Sequence, residues 1–321
     1  MRRISVLGAG AFGTALAIAV SREHSGVLLW GRSAGQIRDI EAAGENAKYL
    51  PGQPMPSGLD LSFDLEKALA SPVILLAIPM QKTGSFLAEN AEVLAGKTVV
   101  ACCKGVDLES GLGPASLLEE RCPGAIPTVL TGPSFAVDIA AGLPTALTLA
   151  IEDLKAGAAL QAELSTKTLR LYLTDDLKGA ELGGAMKNVV ALVAGLTMGT
   201  GLGESARAAV ITRGFAEMQR FADRFGSRPE TLMGLSGLGD LILTCTSEKS
   251  RNYAAGIAIG RGETPASRTT EGIATAKAVW RIAKREGIDM PLTQTLTEVL
   301  SGNLTLQDAI VALLSRPLKK E

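Results

Sequence analysis

The sequence predicts a mainly parallel, doubly wound α/β sheet in residues 1–175 and an all-helical domain in residues 176–321. Short apolar strands alternate with helical stretches up to about residue 174, an order that indicates a sheet with helices on both faces. After Asp175 the strand signal stops and helical spacing takes over. A chain of 321 residues with 46% hydrophobic residues is long and apolar enough to form two domains.

A glycine-rich turn follows the first predicted strand. Ile4, Val6 and Leu7 predict a short buried strand, and an apolar helix continues from Thr14. The run between them, Gly8-Ala-Gly-Ala-Phe-Gly13, has the G-x-G-x-x-G spacing. In this context the first glycine allows a tight turn, the second lets a pyrophosphate approach the backbone, and the third lets helix and strand pack closely. The pattern predicts a Rossmann-type dinucleotide site with the phosphates at the helix N-terminus.

Two other interpretations of the N-terminus remain open. The glycines could form a structural turn that binds no ligand. Arg2-Arg3 before an apolar run also resembles a secretory signal, although three glycines would break its helix.

The later strands are predicted from short apolar, β-branched runs. They are Val27–Trp30, Val73–Ala77, Thr98–Ala101, Ile126–Leu130, Ala146–Ala150 and Leu169–Leu173. The Gly- and Pro-rich stretch Gly44–Gly58 predicts an irregular surface loop near the cofactor.

Helical spacing in the second domain extends over residues 176–202, 206–226, 240–261 and 272–287. Phe215, Met218, Phe221 and Phe225 form one apolar stripe, which predicts core packing rather than a cofactor contact. Gly226 is expected to end a helix.

Composition restricts the classes of function. A formal net charge of -1 gives no reason to expect nucleic acid or membrane-surface binding, and no integral membrane segment is expected. The 4 cysteines show no C-x-x-C spacing, so we expect reduced, buried thiols, no metal site and a cytoplasmic protein. His24 is the only histidine and lies between the first helix and the second strand. A His–Asp catalytic pair and a His-ligated catalytic metal are therefore excluded, and an acid–base must be Lys, Asp, Glu, Tyr or Cys.

The tip of the second strand reads Trp30-Gly31-Arg32-Ser33, where NAD-binding proteins usually carry an acid. Arg32 offers a bidentate partner for a 2′-phosphate and Ser33 offers a hydroxyl, so the tip predicts acceptance of NADP. The alternative is a solvated arginine at a strand end.

Lys187 is the candidate general acid–base. It follows Gly183 and Gly184 by four and three residues on an apolar helix, so the glycines would leave space beneath the ammonium and the apolar surroundings would lower its pKa. Alternatively, the glycines mark a helix crossing and the lysine extends to solvent.

Four further segments predict contacts with a ligand. Ser250-Arg251-Asn252 precedes a helix, where a serine cap, free N–H groups and an arginine would form an anion site. The alternative is an ordinary helix cap exposed to solvent. Leu235–Asp240 is a glycine-rich turn that ends in an acid. Lys104-Gly105 and Gly132–Ala136 each follow a strand, at the sheet edge where ligands of this fold bind.

In this order, the segments resemble NAD(P)-dependent glycerol-3-phosphate dehydrogenases of the soluble bacterial type, from residue 4 to about residue 290. The chain departs from the family's usual residues at Ala11-Phe12, where Ser-Trp is common, and at Thr269, where Val is usual.

The resemblance implies a role for each matching residue. The implied cofactor contacts are Gly8, Gly10, Ala11, Phe12, Gly13, Arg32, Lys104, Ala136, Arg251, Thr269 and Glu271. The implied substrate contacts are Lys104, Gly132, Ser134, Lys187, Asn188, Asp240, Ser250, Arg251 and Asn252. The implied catalytic group is Lys187, with Asp240 beside it and Lys104 on the substrate.

The implied reaction is reduction of dihydroxyacetone phosphate to sn-glycerol 3-phosphate with NADPH or NADH, which supplies the glycerophospholipid backbone. Lys187 would protonate the carbonyl oxygen. The expected partner is this small-molecule substrate, and a homodimer is compatible with the sequence. Two alternatives stay open: a beta-hydroxyacid dehydrogenase with a carboxylate substrate, and a regulatory protein that binds NADP without catalysis. The polar residues Lys104, Lys187, Asp240 and Arg251 exceed what sensing requires.

Overall fold

The computed structural model of the chain describes residues 2–265 and 271–314. Contacts divide it into two units: Met1–Asp107 with Leu112–Glu181, and Leu108–Gly111 with Leu182–Glu321 as far as the described residues extend. The sequence analysis divided the chain at residue 175, so residues 108–111 and 176–181 are grouped differently by the contacts.

The first unit is built around one sheet. Its strands are β1 (Ile4–Leu7), β2 (Val27–Trp30), β3 (Leu59–Ser62), β4 (Val73–Leu76), β5 (Thr98–Ala101), β6 (Ile126–Thr131), β7 (Thr145–Ala150) and β8 (Leu169–Thr174). They lie in the order β3-β2-β1-β4-β5-β6-β7-β8. All neighbouring strands pair in parallel except β6 and β7, which are antiparallel. The predicted mainly parallel, doubly wound sheet is confirmed, and the chain reverses its direction of winding between β1 and β4, where such folds bind ligands.

Helices cover both faces of this sheet. They are α1 (Ala11–Ser21), α2 (Ala34–Ala43), α3 (Leu65–Leu69), α4 (Met80–Glu89), α5 (Ala91–Leu94), α6 (Pro114–Arg121), α7 (Ala136–Ala140) and α8 (Leu154–Leu164). Along β1, Ile4 and Val6 belong to the apolar cluster that contains residues of α1. Leu7 belongs to the cluster on the other face, with residues of α4 and α6. Successive side chains of a strand point to opposite faces, so one short strand supports both layers.

The strand β3 was not predicted from the sequence. This strand pairs in parallel with β2 and carries the polar residues Asp60 and Ser62, so it lacks the continuous apolar run that identified the other strands. The preceding stretch, Gly44–Gly58, is irregular as predicted, apart from an isolated bridge between Glu45 and Pro54.

The second unit is helical over its described residues. Its helices are α9 (Leu177–Gly199, which begins in the first unit), α10 (Gly203–Arg224), α11 (Pro229–Met233), α12 (Asp240–Cys245), α13 (Arg251–Gly260), α14 (Glu271–Glu286), α15 (Pro291–Leu300) and α16 (Leu306–Leu314). The predicted helix over 240–261 is wrong as one element, because α12 ends at Cys245 and α13 begins at Arg251. The helices α15 and α16 were not predicted.

α9 is the central helix of the second unit. By length and composition it could cross a membrane, but 83% of its most apolar window is buried inside the protein. Burial in a helical core explains such an apolar helix. The stripe on α10 packs as predicted, with Met218 and Phe221 fully buried in the same core. Gly226 ends that helix with a φ of 76°.

A buried glutamate caps α6, a helix whose own N-cap residue, Gly113, has no side chain. The Glu181 carboxylate accepts hydrogen bonds from the Ala115 N–H at 2.8 Å and the Ser116 N–H at 3.3 Å. Burial raises the pKa of Glu181 to about 7, against the opposing effect of its hydrogen bonds from Ser116 and Ala115.

Glu217 has the corresponding position at the start of α15 in the second unit. It accepts hydrogen bonds from the N–H groups of Leu292 and Thr293 and from the Thr293 hydroxyl. Burial raises its pKa as well, against the opposing effect of those hydrogen bonds. Neither glutamate was singled out from the sequence, because each bonds to a helix distant in the chain.

Candidate active site

The glycine loop, Gly8–Gly13, joins the carboxyl end of β1 to α1. Gly8 has a φ of 121°, which favours glycine, and its N–H donates to the Trp30 carbonyl of β2 at 2.9 Å. α1 begins at Ala11 with Gly10 as N-cap, and no side chain caps it. The first N–H groups of the helix therefore lack a side-chain partner and remain suited to an anion.

The three motif glycines have different surroundings. A Cβ added to Gly8 would lie 2.5 Å from the Ala77 carbonyl oxygen, and one added to Gly13 would collide with the Gly8 carbonyl oxygen. A Cβ added to Gly10 would meet no atom within 4 Å. Gly8 and Gly13 are thus required by the fold, whereas Gly10 leaves space on the open side of the loop. This is the cradle that a pyrophosphate close to the backbone needs.

Arg32 and Ser33 follow β2, as the sequence analysis placed them. Arg32 is exposed. The Ser33 hydroxyl accepts a hydrogen bond from the Gln36 N–H at 3.2 Å and caps α2, a structural role that the sequence analysis did not assign to it.

Three predicted substrate contacts of the first unit lie together. Lys104 follows β5, and its Nζ donates to the Gly132 carbonyl at 3.1 Å. The Ser134 hydroxyl donates to the same carbonyl, also at 3.1 Å. Gly132 has a φ of 138° and follows β6, so these groups share the carboxyl edge of the sheet with the glycine loop. Ala136 is the first residue of α7, a helix that packs against α1.

The second unit contains a buried polar group of three side chains, which we call the lysine cluster: Lys187, Asp240 and Thr244. The Lys187 Nζ lies 2.7 Å from Asp240 Oδ1 and 2.7 Å from Thr244 Oγ1. The Thr244 hydroxyl also donates to Asp240 Oδ1 at 3.3 Å. Lys187 is only 7% exposed and Asp240 is 0% exposed. The pairing with Asp240 compensates a charge whose burial alone would be costly.

Close backbone packing places Asp240. The residues before it form a single π-helical turn, Leu235–Gly239, rather than the predicted glycine-rich turn. A Cβ on Gly183 would lie 2.6 Å from the Ser236 carbonyl oxygen of this turn. Gly183 therefore lets α9 contact the segment that carries Asp240, as the helix-crossing alternative expected. The same alternative expected Lys187 to extend to solvent and was wrong there, because Lys187 is buried. The carboxylate of Asp240 lies beside Lys187, where the resemblance placed it.

Cys245 lies beside the lysine cluster but does not titrate near neutral pH. Burial raises the pKa of its thiol to about 12, with Lys187 acting in the opposite direction. Cys245 thus remains a neutral thiol near neutral pH.

The predicted anion segment begins α13. The buried Ser250 caps the helix by accepting a hydrogen bond from the Tyr253 N–H at 3.2 Å, and Arg251 is exposed. The Asn252 Oδ1 accepts from the Gly272 N–H at 3.0 Å. A Cβ on Gly272 would lie 2.7 Å from the Asn188 carbonyl oxygen. Asn188, Asn252 and the start of α14 therefore lie together.

Thr269 lies outside the described residues, and only the backbone of Glu271, the first residue of α14, is described. In the described parts of the chain, no group of three or more His, Cys, Asp or Glu side chains could hold a metal ion.

Two residues at these sites, Thr244 and Asn46, were not predicted from the sequence. Thr244 follows Asp240 by one helical turn on α12, so its spacing would have placed it on the same face. Asn46 lies in the irregular stretch Gly44–Gly58, where no periodicity indicates which side chain turns inward. The structure buries Asn46 against the glycine loop.

Comparisons with known proteins match the chain over most of its length. The family models for the N-terminus and the C-terminus of NAD-dependent glycerol-3-phosphate dehydrogenase match residues 3–157 and 176–311. A glycerol-3-phosphate dehydrogenase [NAD(P)+] of Ruegeria sp. is 55% identical, with 99% of each chain covered. The enzyme of the same name from Cereibacter sphaeroides is 54% identical and covers 99% of this chain and 100% of its own length.

A crystal structure of glycerol-3-phosphate dehydrogenase from Coxiella burnetii superposes with a TM-score of 0.92 at 35% identity, covering 98% of this chain and 99% of its own. The glycine loop, the absence of a catalytic histidine and the buried lysine agree with these matches. The chain belongs to the NAD-dependent glycerol-3-phosphate dehydrogenase family and is an NAD(P)-dependent oxidoreductase.

Proposed function

We propose that this chain catalyses the reversible reduction of dihydroxyacetone phosphate to sn-glycerol 3-phosphate, and so supplies the backbone of glycerophospholipids. The observation that carries the proposal is the lysine cluster, a buried ammonium 2.7 Å from a buried carboxylate in a member of this family. A general acid of this kind suits reduction of a carbonyl group.

The cofactor residues are proposed from the resemblance and from the shape of the glycine loop. The N–H groups at the start of α1 would bind the pyrophosphate, and the space beside Gly10 would accommodate it. Arg32 would contact the adenosine phosphate. Lys104, Ala136, Arg251, Thr269 and Glu271 would complete the contacts. NADPH or NADH held by these residues would supply the hydride for the carbonyl carbon of the substrate and would leave as NADP or NAD.

Lys187 supplies the proton in this proposal. As the carbonyl carbon accepts the hydride, the carbonyl π electrons move onto oxygen, and the Lys187 ammonium gives that oxygen its proton. Asp240 and Thr244 hold the ammonium in a fixed direction through their hydrogen bonds. In the oxidative direction the neutral amine takes the proton back from the hydroxyl group.

Two groups of residues are proposed to hold the substrate. Lys104, Gly132 and Ser134 are joined by hydrogen bonds at the edge of the sheet, and Lys104 offers a positive charge there. Asn188, Ser250, Arg251 and Asn252 offer polar groups around the start of α13 in the second unit. A guanidinium at a helix N-terminus is suited to a phosphomonoester.

The proposal is tested by substrate choice. Purified protein with NADPH or NADH should oxidise the cofactor with dihydroxyacetone phosphate and react poorly with dihydroxyacetone, which lacks the phosphate. Arg251→Ala should raise the KM for the phosphorylated substrate about tenfold or more, since a charge-assisted contact contributes roughly 1.5–3 kcal/mol.

Arg261→Ala is the matched control, because Arg261 is exposed at the opposite end of α13. Faster turnover of keto acids would favour a beta-hydroxyacid dehydrogenase. Cofactor binding without turnover of any substrate would favour the regulatory alternative.

We further propose a cytoplasmic location, and a homodimer remains the oligomer to test by sedimentation.

A further inference from the structure

One side chain outside the glycine loop bonds both to a residue of the loop and to the residue that follows it. Asn46 is 1% exposed, and its Nδ2 donates to the Ala9 carbonyl at 3.1 Å and to Thr14 Oγ1 at 2.8 Å. Ala9 precedes Gly10, and Thr14 follows Gly13. The side-chain amide of Asn46 therefore bridges Ala9 and Thr14, and the backbone N–H groups of the loop lie between these two residues.

The Ala9 carbonyl has a second donor. Gln36 Nε2, from α2, lies 2.6 Å from the same oxygen. In a trans peptide the C=O and the following N–H point in opposite directions, and the described residues contain no cis peptide bond. Two side chains that hold the Ala9 oxygen therefore fix the direction of the Gly10 N–H, since rotation of this peptide would break both hydrogen bonds.

Asn46 is itself held in place. Its carbonyl accepts hydrogen bonds from the N–H groups of Tyr49 at 3.2 Å and Leu50 at 2.8 Å, and Leu50 is buried in the core of the first unit. The Met55 N–H donates to the Gly44 carbonyl at 2.8 Å and closes the stretch on itself. The irregular stretch thus forms a fixed support for one buried amide.

We propose that Asn46, together with Gln36, is a positioning residue for the dinucleotide. The two side chains hold the Ala9–Gly10 peptide so that the Gly10 N–H and the first N–H groups of α1 face the cofactor pyrophosphate. This inference rests on the proposal that the glycine loop binds the pyrophosphate. An asparagine is suited to the position because its NH₂ carries two hydrogens for two acceptors.

The test replaces the donor without changing its size. Asn46→Asp replaces the donor with a carboxylate, which cannot bond to the Ala9 carbonyl, and Asn46→Leu offers no hydrogen-bonding group. Both should raise the Kd for NADH, measured by titration calorimetry, about tenfold or more. The KM for NADH should rise in parallel, while kcat at saturating NADH stays within about threefold of the parent. Gln36→Met should act in the same direction with a smaller effect, because Asn46 still holds the carbonyl.

Ser5→Ala is the matched control for stability. It removes a buried hydrogen bond of 2.8 Å between Ser5 and Ser71 in the same unit, away from the loop. It should lower the melting temperature and leave the Kd for NADH within about twofold. A Kd that changes no more in the Asn46 variants than in Ser5→Ala overturns the inference. If both Asn46 variants fail to fold, an unchanged Kd in Gln36→Met overturns it instead.

The variant Gly10→Ala distinguishes a failure of the proposed pyrophosphate site from a failure of the positioning role alone. If Gly10→Ala binds NADH as the parent does, the loop is not the pyrophosphate site and both proposals fall. If Gly10→Ala loses affinity and the Asn46 and Gln36 variants do not, only the positioning role falls.

Discussion

The glycine loop presents backbone groups, whereas the lysine cluster presents side chains. The loop depends on residues that lack a side chain and that follow one another in the chain, and the neighbouring strands and the side chains of Asn46 and Gln36 hold it. The cluster brings together Lys187 of α9 with Asp240 and Thr244 of α12, which are 53 and 57 residues further along the chain. A backbone site can therefore be recognised in a short stretch of sequence, and a side-chain site needs the fold to assemble it.

The largest expected effect tests the side-chain site. Lys187→Ala should lower turnover roughly 10²–10⁴-fold, the usual contribution of a general acid, and leave cofactor affinity nearly unchanged. The measurement is kcat with dihydroxyacetone phosphate, together with calorimetric titration of NADH. Lys178→Ala is the control, since Lys178 is exposed on the same helix.

The variant also leaves the buried Asp240 carboxylate without its ion partner, which costs stability. The double variant Lys187→Met with Asp240→Asn removes that charge and should fold better while staying inactive. Turnover within a few-fold of the parent in either variant would show that the lysine has only a structural role.

The next effect distinguishes the glycines of the backbone site. Gly10→Ala should fold as well as the parent, because the added Cβ meets nothing within 4 Å, but should weaken NADH binding about tenfold to a hundredfold by occupying the pyrophosphate's space. Gly13→Ala should instead lower the free energy of unfolding by about 1–3 kcal/mol, because its Cβ would collide with the Gly8 carbonyl.

Thermal unfolding and NADH titration of the two variants provide the comparison. Equal loss of stability in both would contradict the assignment of Gly10 to the ligand side of the loop.

The smallest expected effect concerns a side chain at the edge of the backbone site. Arg32→Asp should reverse a preference for NADPH over NADH, because the carboxylate accepts a bond from the ribose and repels the 2′-phosphate. Arg32 is exposed, so the change should be near the low end of roughly 1–3 kcal/mol each way. The measurement is the ratio of kcat/KM for the two cofactors at fixed ionic strength. An unchanged ratio would assign the adenosine pocket to other residues.

The contrast between the glycine loop and the lysine cluster also explains which features could be predicted from the sequence. The sheet, the glycine loop and Lys187 were predictable, because strand–turn–helix order and an unusual lysine on an apolar helix are local signals. The β3 strand was missed because its polar residues resemble a loop, and Asn46 because irregular backbone has no period. The sequence could not show that Gly183 faces a π-helical turn instead of an open pocket, because that contact depends on packing between distant segments.

The two capping glutamates have a consequence for how each unit acquires its structure. The first turn of α6 is completed by Glu181, which follows Ala115 by 66 residues, and that of α15 by Glu217, which precedes Leu292 by 75. Neither helix start can gain its cap from its own neighbourhood, so its N–H groups are satisfied only once the distant segment has docked. Contacts of such sequence separation require long loop closure and form late. We therefore expect the first turn of each of these helices, which begin with proline, to become stable only after the distant carboxylate has docked.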